Sequence, residues 1–286
     1  MLPDRIPDRL ALISDIHANK EALDAVFADI DRRAIKDVWC LGDIVGYGPS
    51  PVECLQAVRD RCVLLLMGNH DYAVVHLPLH FNAAATSAIR CHIQLLWEWY
   101  THQALDTITP PAGPPGKPAD HPAAQAGGGA FNPFEYLDRM PVTHKLGDIT
   151  FVHSSPRDPM WEYLFVGEAY EDPERLEGVF DFIERVCFCG HTHYPGAVLR
   201  AANGQYVSLP ARGADFLITL PVDWKAYVNV GSVGQPRDSD TRACYVELHR
   251  DKALFHRVAY DYRKTMARLK ELPIHPRCAE RLELGK

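Results

Sequence analysis

The chain has 286 residues, of which 47% are hydrophobic and 23% are charged, so it is long enough to bury a sizeable core. Its formal net charge of −7 argues against a nucleic-acid-binding protein, which needs a basic face, and against attachment to an anionic membrane surface. No apolar stretch is long enough to span a bilayer, and the N-terminus is too charged and proline-rich for a signal peptide. These features predict a cytoplasmic globular protein.

The first part of the chain alternates between short apolar strands, polar clusters and helices. Asn19 is predicted to cap a helix whose apolar residues follow the 3.6-residue period. Ser50-Pro51-Val52-Glu53 has the pattern of a capping box and opens a second helix that runs to about Arg61. Strands are predicted at 9–14, 37–41 and 63–67.

The middle of the chain contains a long helix and then a change of composition. The helix is predicted from Asn82 to about His102, with one apolar face. A segment rich in Pro and Gly follows, at about 106–132, and its composition does not support a packed core. We interpret it as an irregular surface insertion within a single domain that spans 1–286.

The second half of the chain is rich in predicted strands. Asp172-Pro173 opens a helix, and a basic helix is expected at about 262–272, followed by a polar tail. Strands are predicted at 142–145, 149–153, 186–189, 197–200, 205–209, 226–230, 243–248 and 253–258. Strands and helices that alternate in this way are typical of an α/β fold.

The eight cysteines are expected to be free thiols, because a chain of this length without a signal peptide seldom forms disulfides. No Cys-x-x-Cys pair is present. Cys187 and Cys189 lie in an apolar segment and are expected in the core rather than on a metal.

Five polar clusters follow predicted buried strands, at the point where each strand ends. In open α/β sheets the carboxyl ends of the strands form the ligand-binding edge. Polar side chains are costly to bury unless they are bonded or coordinated, so clusters in register suggest a single site. The clusters are Asp15–His17, Gly42–Asp43, Gly68–Asp71, His153 and His191–His193.

The residue types in these clusters indicate a transition-metal site. Imidazole nitrogens together with carboxylate and amide oxygens suit Mn, Fe, Zn, Ni or Co better than Ca, which prefers oxygen ligands alone. The candidate ligands number seven, more than one ion needs, and two ions that share a carboxylate would employ all of them. They are Asp15, His17, Asp43, Asn69, His153, His191 and His193.

Each cluster taken alone also allows a simpler interpretation. Asp-x-His occurs by chance, and Gly-Asp, Gly-Asn-His-Asp and Gly-His-Thr-His can be turns. His76 and His80 have the spacing of a helical metal pair, but Pro78 between them breaks a helix. His92 is expected to pack in the core rather than to stack on a substrate.

Three further residues lie close to the motif loops and are candidate substrate contacts: Tyr47, Arg157 and Arg237. Each could bind a phosphate or a base, as could Asn69. The alternative for each is an ordinary loop ion pair or turn.

The ordered set D-x-H, G-D, G-N-H-D, a single His after a strand, and G-H-x-H resembles the calcineurin-like metallophosphoesterase superfamily. The segments SDIHAN, LGDIVGYGPSP, GNHD, HSSPRDP and NVGSVGQPRD are similar to its compact bacterial phosphodiesterase-type branch. This resemblance extends from about Leu10 to Leu248. It implies an α/β fold, a four-layer α-β-β-α sandwich of two mixed β-sheets flanked by helices.

The resemblance also implies roles for the site residues. Asp43 would bridge two divalent ions, and a hydroxide between them would attack phosphorus in line. His70 would stabilise the transition state or protonate the leaving oxygen, with Asp71 orienting its ring. The first ion would be held by Asp15, His17 and His193, and the second by Asn69, His153 and His191.

The leading hypothesis is therefore a metal-dependent phosphoesterase that acts on a small-molecule phosphate ester, with phosphodiesters or dinucleoside polyphosphates favoured. Manganese is the first choice for supporting activity in vitro. The alternatives are a phosphomonoesterase, a protein Ser/Thr phosphatase, a scaffold that kept the fold without the chemistry, and a structural metal site. No membrane partner and no stable nucleic-acid binding are expected.

Overall fold

A computed structural model of the chain describes residues 2–77, 81–108, 131–167 and 172–286. Most of the predicted Pro/Gly-rich insertion lies outside these residues, as does His80. The described helices are α1 (Lys20–Arg32), α2 (Pro51–Arg61), α3 (Asn69–His76), α4 (Ala83–Ile108), α5 (Pro133–Asp138), α6 (Pro173–Phe180), α7 (Tyr262–Leu269) and α8 (Arg277–Leu284). The described strands are β1 (Leu10–Ile13), β2 (Asp37–Cys40), β3 (Leu64–Leu65), β4 (Thr143–Leu146), β5 (Ile149–Val152), β6 (Val186–Cys189), β7 (Gly196–Arg200), β8 (Tyr206–Pro210), β9 (Phe216–Thr219), β10 (Lys225–Asn229), β11 (Ala243–His249) and β12 (Lys252–Val258).

The strands form two mixed six-stranded sheets. The first has the order β3-β2-β1-β11-β12-β9, and the second has the order β4-β5-β6-β10-β7-β8. Parallel pairs join β1 to β2 and β2 to β3 in the first sheet, and β5 to β6 and β6 to β10 in the second. The remaining neighbours are antiparallel and include the two expected hairpins, β4–β5 and β7–β8.

The two sheets pack face to face, and helices cover their outer faces. Trp39 of the first sheet meets Phe151 of the second with ring centroids 4.9 Å apart. On the outside of the first sheet, α1 and α2 contribute to a core that includes Leu23 and Leu55. Helix α6 covers the second sheet. The predicted four-layer α-β-β-α sandwich is confirmed.

Strand β1 shows why these strands are continuous apolar runs. Leu10 and Leu12 point into the core between the sheets, whereas Ala11 and Ile13 point towards the helices. All four side chains are buried, since both faces of the sheet are covered.

The starts of α1 and α2 were predicted, with one error of detail at α2. Asn19 caps α1 as expected, with its side-chain oxygen accepting from the backbone N–H of Ala22 at 3.2 Å. Ser50 precedes α2, but its side chain makes no capping hydrogen bond, so the expected capping box does not form. Pro51 at the first helical position, with its fixed φ, starts this helix instead.

The expectation of a polar tail after α7 is wrong. Helix α7 ends at Leu269, and the chain then forms α8, whose Cys278, Ala279 and Leu282 are buried. These three residues have helical spacing and pack in one cluster with α4, α7 and Tyr47. The sequence analysis also did not predict α3, α5 and β9.

Two predictions from composition concern the state of the cysteines and membrane-spanning segments. All eight cysteines are free, and seven of them are buried. No helix within the described ranges has both the length and the apolarity needed to cross a bilayer.

Candidate metal centre

The five polar clusters lie at one end of the sandwich. Strands β1, β2 and β3 run parallel in the first sheet, and β5 and β6 run parallel in the second. Their carboxyl ends therefore lie at a common edge, and the loops that follow them carry the candidate ligands. All seven predicted ligands are at most 3% exposed. The structure brings all seven together.

One group of candidate ligands surrounds Asp15. The Nε2 atom of His193 lies 3.1 Å from Asp15 Oδ1. The Nε2 atom of His17 lies 3.8 Å from the same oxygen and 3.1 Å from His193 Nε2. These three residues form a cluster that is compact enough to hold one ion.

A second group surrounds His153. Its Nε2 atom lies 3.1 Å from Asn69 Oδ1 and 3.2 Å from His191 Nδ1. Asp43 Oδ2 lies 3.4 Å from the same nitrogen. Asp43, His153 and His191 form a further cluster of metal-ligand geometry.

Asp43 joins the two groups. Its Oδ2 atom lies 3.6 Å from His17 Nε2 and 3.4 Å from His153 Nε2. Its Oδ1 atom accepts a hydrogen bond from the backbone N–H of His70 at 2.8 Å. One carboxylate therefore faces both groups, as expected of a bridging ligand.

Backbone carbonyls fix the orientation of three imidazoles. A carbonyl oxygen only accepts hydrogen bonds, so the Nδ1 atom that faces it carries a proton, and in the neutral ring Nε2 keeps its lone pair. The three pairs are His17 Nδ1 with Val45 O at 3.1 Å, His153 Nδ1 with Leu41 O at 3.0 Å, and His193 Nδ1 with Gln235 O at 2.5 Å.

This orientation makes the cluster suitable for cations. The Nε2 lone pairs of His17 and His193 face each other and the carboxylate of Asp15, with no proton between the two nitrogens. Converging lone pairs in a buried site repel one another unless a cation lies among them. The donor set therefore fits divalent metal ions, with nitrogen and oxygen ligands and no thiolate.

The electrostatics of the cluster support the same interpretation for its two carboxylates and for His191. Burial alone would raise the pKa of both carboxyl groups. The neighbouring His193 instead holds the pKa of Asp15 below its usual range, and His153 does the same for Asp43. Burial lowers the pKa of His191 to about 3. His153 is the exception, because Asp43 outweighs burial and raises its pKa to about 9.

The backbone is strained at the same positions. Residues other than glycine rarely adopt positive φ, and each instance costs about 1–2 kcal/mol. Five of the seven candidate ligands do so here. They are Asp15 (φ 53°), His17 (φ 47°), Asp43 (φ 54°), His191 (φ 66°) and His193 (φ 64°). Strain concentrated in this way is typical of a functional site.

Gly190 permits the close approach of two strand ends. A Cβ atom at this position would collide with Asp15 Oδ2 and Ser14 Oγ. The backbone N–H of the next residue, His191, donates to Asp15 Oδ2 at 2.9 Å. Glycine thus allows β1 and β6, which belong to different sheets, to place their candidate ligands side by side.

His70 lies beside the cluster. Its ring is 4.9 Å from the ring of His17 and 4.6 Å from that of Tyr47, measured between centroids. Its Nδ1 atom is buried and has no hydrogen-bond partner among the described residues. Burial lowers its pKa to about 4. The ring is therefore close to the candidate ligands without being tied to one of them by a hydrogen bond.

The role expected of Asp71 needs correction. Its Oδ1 atom accepts from the backbone N–H groups of Ile44 and Val45 at 3.0 and 3.1 Å, and its Oδ2 atom accepts from Gly68 at 3.1 Å. These bonds hold the loop after β2 against the start of α3 and do not reach the ring of His70. Burial raises the pKa of Asp71 to about 7, and the charge of Asp43 adds to this shift.

The three candidate substrate contacts, Tyr47, Arg157 and Arg237, differ in the residues that they contact. The guanidinium carbon of Arg237 lies 5.7 Å from the ring of Tyr47, which is itself 4.8 Å from the ring of His17. Arg157 instead forms an ion pair with Glu162 and lies against Gly178 of α6. For Arg157 the structure therefore supports the ordinary ion-pair alternative.

His92 has a structural role at the site that the sequence did not reveal. It is fully buried on α4, as its apolar face suggested. Its Nδ1 atom accepts from the backbone N–H of Gly46 at 3.0 Å, and its Nε2 atom donates to Gly48 O at 2.8 Å. His92 thereby holds the loop that carries Tyr47.

Tyr163 and His76 differ in whether they contact the cluster. The ring of Tyr163 lies 4.0 Å from the ring of His191, a contact that no local motif indicated. His76 is a surface residue paired with Asp138 at 2.8 Å. It does not contact the cluster.

Comparison with known proteins adds two long matches and one short match. The model of the calcineurin-like phosphoesterase superfamily domain matches residues 9–252. The uncharacterized protein MJ0912 of Methanocaldococcus jannaschii is 32% identical over 290 residues, covering 98% of this chain and 100% of that protein. The bis(5′-nucleosyl)-tetraphosphatase, symmetrical, of Erwinia tasmaniensis is 38% identical over only 63 residues, 21% of this chain and 23% of that protein.

The fold also matches that of a solved structure. The crystal structure of a metallophosphoesterase from Sphaerobacter thermophilus is similar, with 32% sequence identity and a TM-score of 0.69. The match covers 97% of this chain and 99% of that one. Fold and sequence similarity therefore extend over nearly the same residues.

Proposed function

The chain belongs to the calcineurin-like phosphoesterase superfamily, and from this premise we propose that it hydrolyses phosphodiesters or dinucleoside polyphosphates with the help of two divalent metal ions. The observation that carries the proposal is the pair of ligand groups joined by Asp43, in which imidazole nitrogens and carboxylate oxygens converge. The seven residues of this buried cluster exceed the coordination needs of one ion.

The two groups of the cluster support a proposed set of ligands for each ion. In such a site, water becomes acidic enough to attack phosphorus near neutral pH, and charge on the phosphoryl oxygens is offset. Asp43 would be shared, because its carboxylate faces both groups. Asp15, His17 and His193 would hold one ion, and Asn69, His153 and His191 the other. The nitrogen and oxygen ligands suit Mn, Fe, Zn, Ni or Co, of which Mn is proposed for activity in vitro.

His70 is proposed to act on the substrate directly. Its ring is adjacent to His17, and its buried Nδ1 atom has no partner among the described residues. An imidazole in this position can donate a hydrogen bond to a phosphoryl oxygen or a proton to the leaving oxygen. Tyr47, whose ring lies beside His17, and Arg237, which lies against the Tyr47 ring, would bind the rest of the substrate.

A short sequence match supports dinucleoside polyphosphates as a substrate class. A 63-residue match connects this chain to a protein named as a bis(5′-nucleosyl)-tetraphosphatase. That match is a reason to include dinucleoside polyphosphates in a substrate screen. A phosphomonoesterase or a protein Ser/Thr phosphatase would use the same ligands, so the screen must include their substrates as well.

The experiment compares three substrate classes with the metal-loaded enzyme. Bis(p-nitrophenyl) phosphate, diadenosine tetraphosphate and p-nitrophenyl phosphate are incubated with enzyme loaded with Mn²⁺, Fe²⁺, Co²⁺, Ni²⁺ or Zn²⁺ and with chelated controls. We expect metal-dependent turnover that is faster on the first two compounds than on the monoester. No turnover above the chelated controls with any metal would contradict the proposed enzyme.

A further inference from the structure

A large cavity lies directly beside the proposed metal centre. Its volume is about 1190 Å³, which exceeds what a single phosphate needs. None of the seven candidate ligands lines it. It begins next to them, since Tyr194 follows His193 in the chain and Arg237 contacts the Tyr47 ring beside His17.

Two arginines that line the cavity share one aromatic ring. The guanidinium carbon of Arg237 lies 5.7 Å from the centroid of the Tyr47 ring, and that of Arg281 lies 6.0 Å from the same centroid. Arg281 comes from α8, the helix that replaces the expected polar tail. Tyr47 therefore connects the arginine pair to His17, whose ring is 4.8 Å away.

The acidic residues of the cavity do not neutralise this pair. Asp238 forms its ion pair with Arg257, and Asp240 pairs with Arg242 at 2.6 Å. Both aspartates line the cavity together with the arginine pair, yet their carboxylates are already engaged. The positive charge of the pair thus remains without a carboxylate partner among the described residues.

Arg237 and Arg281 themselves have few partners. Arg237 donates to Gln235 Oε1 at 2.9 Å, and its Nε atom is buried without a hydrogen-bond partner. The side chain of Arg281 makes no hydrogen bond or ion pair with the residues that the structure describes. Burial and the nearby charge of Arg237 lower the pKa of Arg281. Two half-buried cations held together in this way are unfavourable unless an anion binds between them.

We propose that this cavity is a second anion subsite, in which Arg237 and Arg281 bind a phosphate of the substrate other than the one that is attacked. Guanidinium groups form paired, charge-assisted hydrogen bonds with phosphate oxygens. The preferred substrate is then a phosphodiester or polyphosphate that carries at least one further phosphate. The inference rests on the proposed function only for the position of the attacked phosphate.

The test measures binding rather than turnover. Calorimetric titration of the Mn²⁺-loaded protein compares propylphosphonate with α,ω-alkane bisphosphonates of three, four and six carbons, which cannot be hydrolysed because their C–P bonds are stable. We expect at least one bisphosphonate to bind ten-fold or more tightly than propylphosphonate. In Arg281→Gln this gain should fall below three-fold, and in Arg281→Lys it should be partly retained.

Arg277→Gln is the matched control. It removes the same charge from the same helix, but Arg277 is exposed and does not line the cavity. In Arg277→Gln the gain in bisphosphonate affinity over propylphosphonate should equal that of the wild type. Thermal melting checks that each variant is folded. The subsite is overturned if no bisphosphonate gains affinity in the wild type, or if the gain survives in folded Arg281→Gln.

Failure of the subsite and failure of the proposed function give different results. Hydrolysis without a bisphosphonate gain would reject the subsite and leave the phosphoesterase in place. A gain that depends on Arg281, without hydrolysis by any metal-loaded form, would support the subsite and reject the proposed function.

Discussion

The Nε2 atoms of His17 and His193 lie 3.1 Å apart, although the two residues are separated by 176 positions in the chain. Each ring is fixed by a backbone carbonyl at Nδ1, so both lone pairs point at the same space. The fold thereby assembles a buried arrangement of acceptors that bound cations would stabilise. The first predictions follow from this arrangement.

Divalent metal ions should stabilise the folded protein. Without the ions, imidazole lone pairs and carboxylate oxygens face one another and repel. Ions that bind only the native state raise its stability by mass action. Thermal melting of chelator-treated protein, followed by titration with Mn²⁺, should show a melting temperature that rises with ion concentration. A melting temperature that is the same with and without Mn²⁺ would contradict the site.

Asp43→Ala should remove both ions. Its carboxylate faces both ligand groups, so neither group is complete without it. We expect the metal content per chain, measured by mass spectrometry, to fall to less than half of that of the wild type, and activity to fall by at least ~10²-fold. Asp138→Ala, at a surface ion pair with His76, is the control and should change neither quantity. Retention of one full ion in Asp43→Ala would show that Asp43 does not bridge.

His70→Ala should keep the metal content and lower kcat. The residue has no hydrogen bond to a candidate ligand through its ring, and its proposed role belongs to the transition state. Loss of a positioned acid or hydrogen-bond donor costs about 10²–10⁴-fold in kcat, and the loss should be larger for a poor leaving group than for p-nitrophenolate. Wild-type kcat on a substrate with a poor leaving group would refute the role.

His92 should make stability depend on pH. Burial lowers its pKa from 6.5 to about 4, and both its ring nitrogens are bonded to the loop at Gly46 and Gly48. Because the unfolded chain has the higher pKa, it takes up the proton first as the pH falls. The stabilisation is therefore present above pH 6.5 and is lost between pH 6.5 and about 4, by about 3 kcal/mol in total.

His92→Gln isolates this effect, because glutamine can make similar hydrogen bonds and does not titrate. Urea unfolding of metal-free protein should show the wild type more stable than the variant at pH 7.5, with a smaller difference at pH 5. His249→Gln, at an exposed position, serves as the control for replacing a histidine by glutamine. A constant difference for His92→Gln would show that burial does not hold this imidazole neutral.

The sequence by itself determined the strands that precede the candidate ligands and the positions of these residues at the strand ends. Short apolar runs such as Leu10–Ile13 are unambiguous because both faces of each sheet are covered, and a polar cluster after each run locates the strand end. The carboxyl ends of parallel strands share an edge, so the proximity of Asp15 and Asp43, which follow β1 and β2, could be inferred without coordinates. The family resemblance then supplied the four-layer architecture.

Only the tertiary structure decided the partners of the remaining polar groups. Asp71 binds backbone N–H groups instead of His70, and Arg157 pairs with Glu162, because partner choice depends on distances that no local pattern encodes. Helix α8 was hidden for a similar reason, since its short apolar face is meaningful only when α4 and α7 are there to cover it. The approach of Arg281 on that helix to Tyr47, more than two hundred residues away in the chain, is likewise a product of packing.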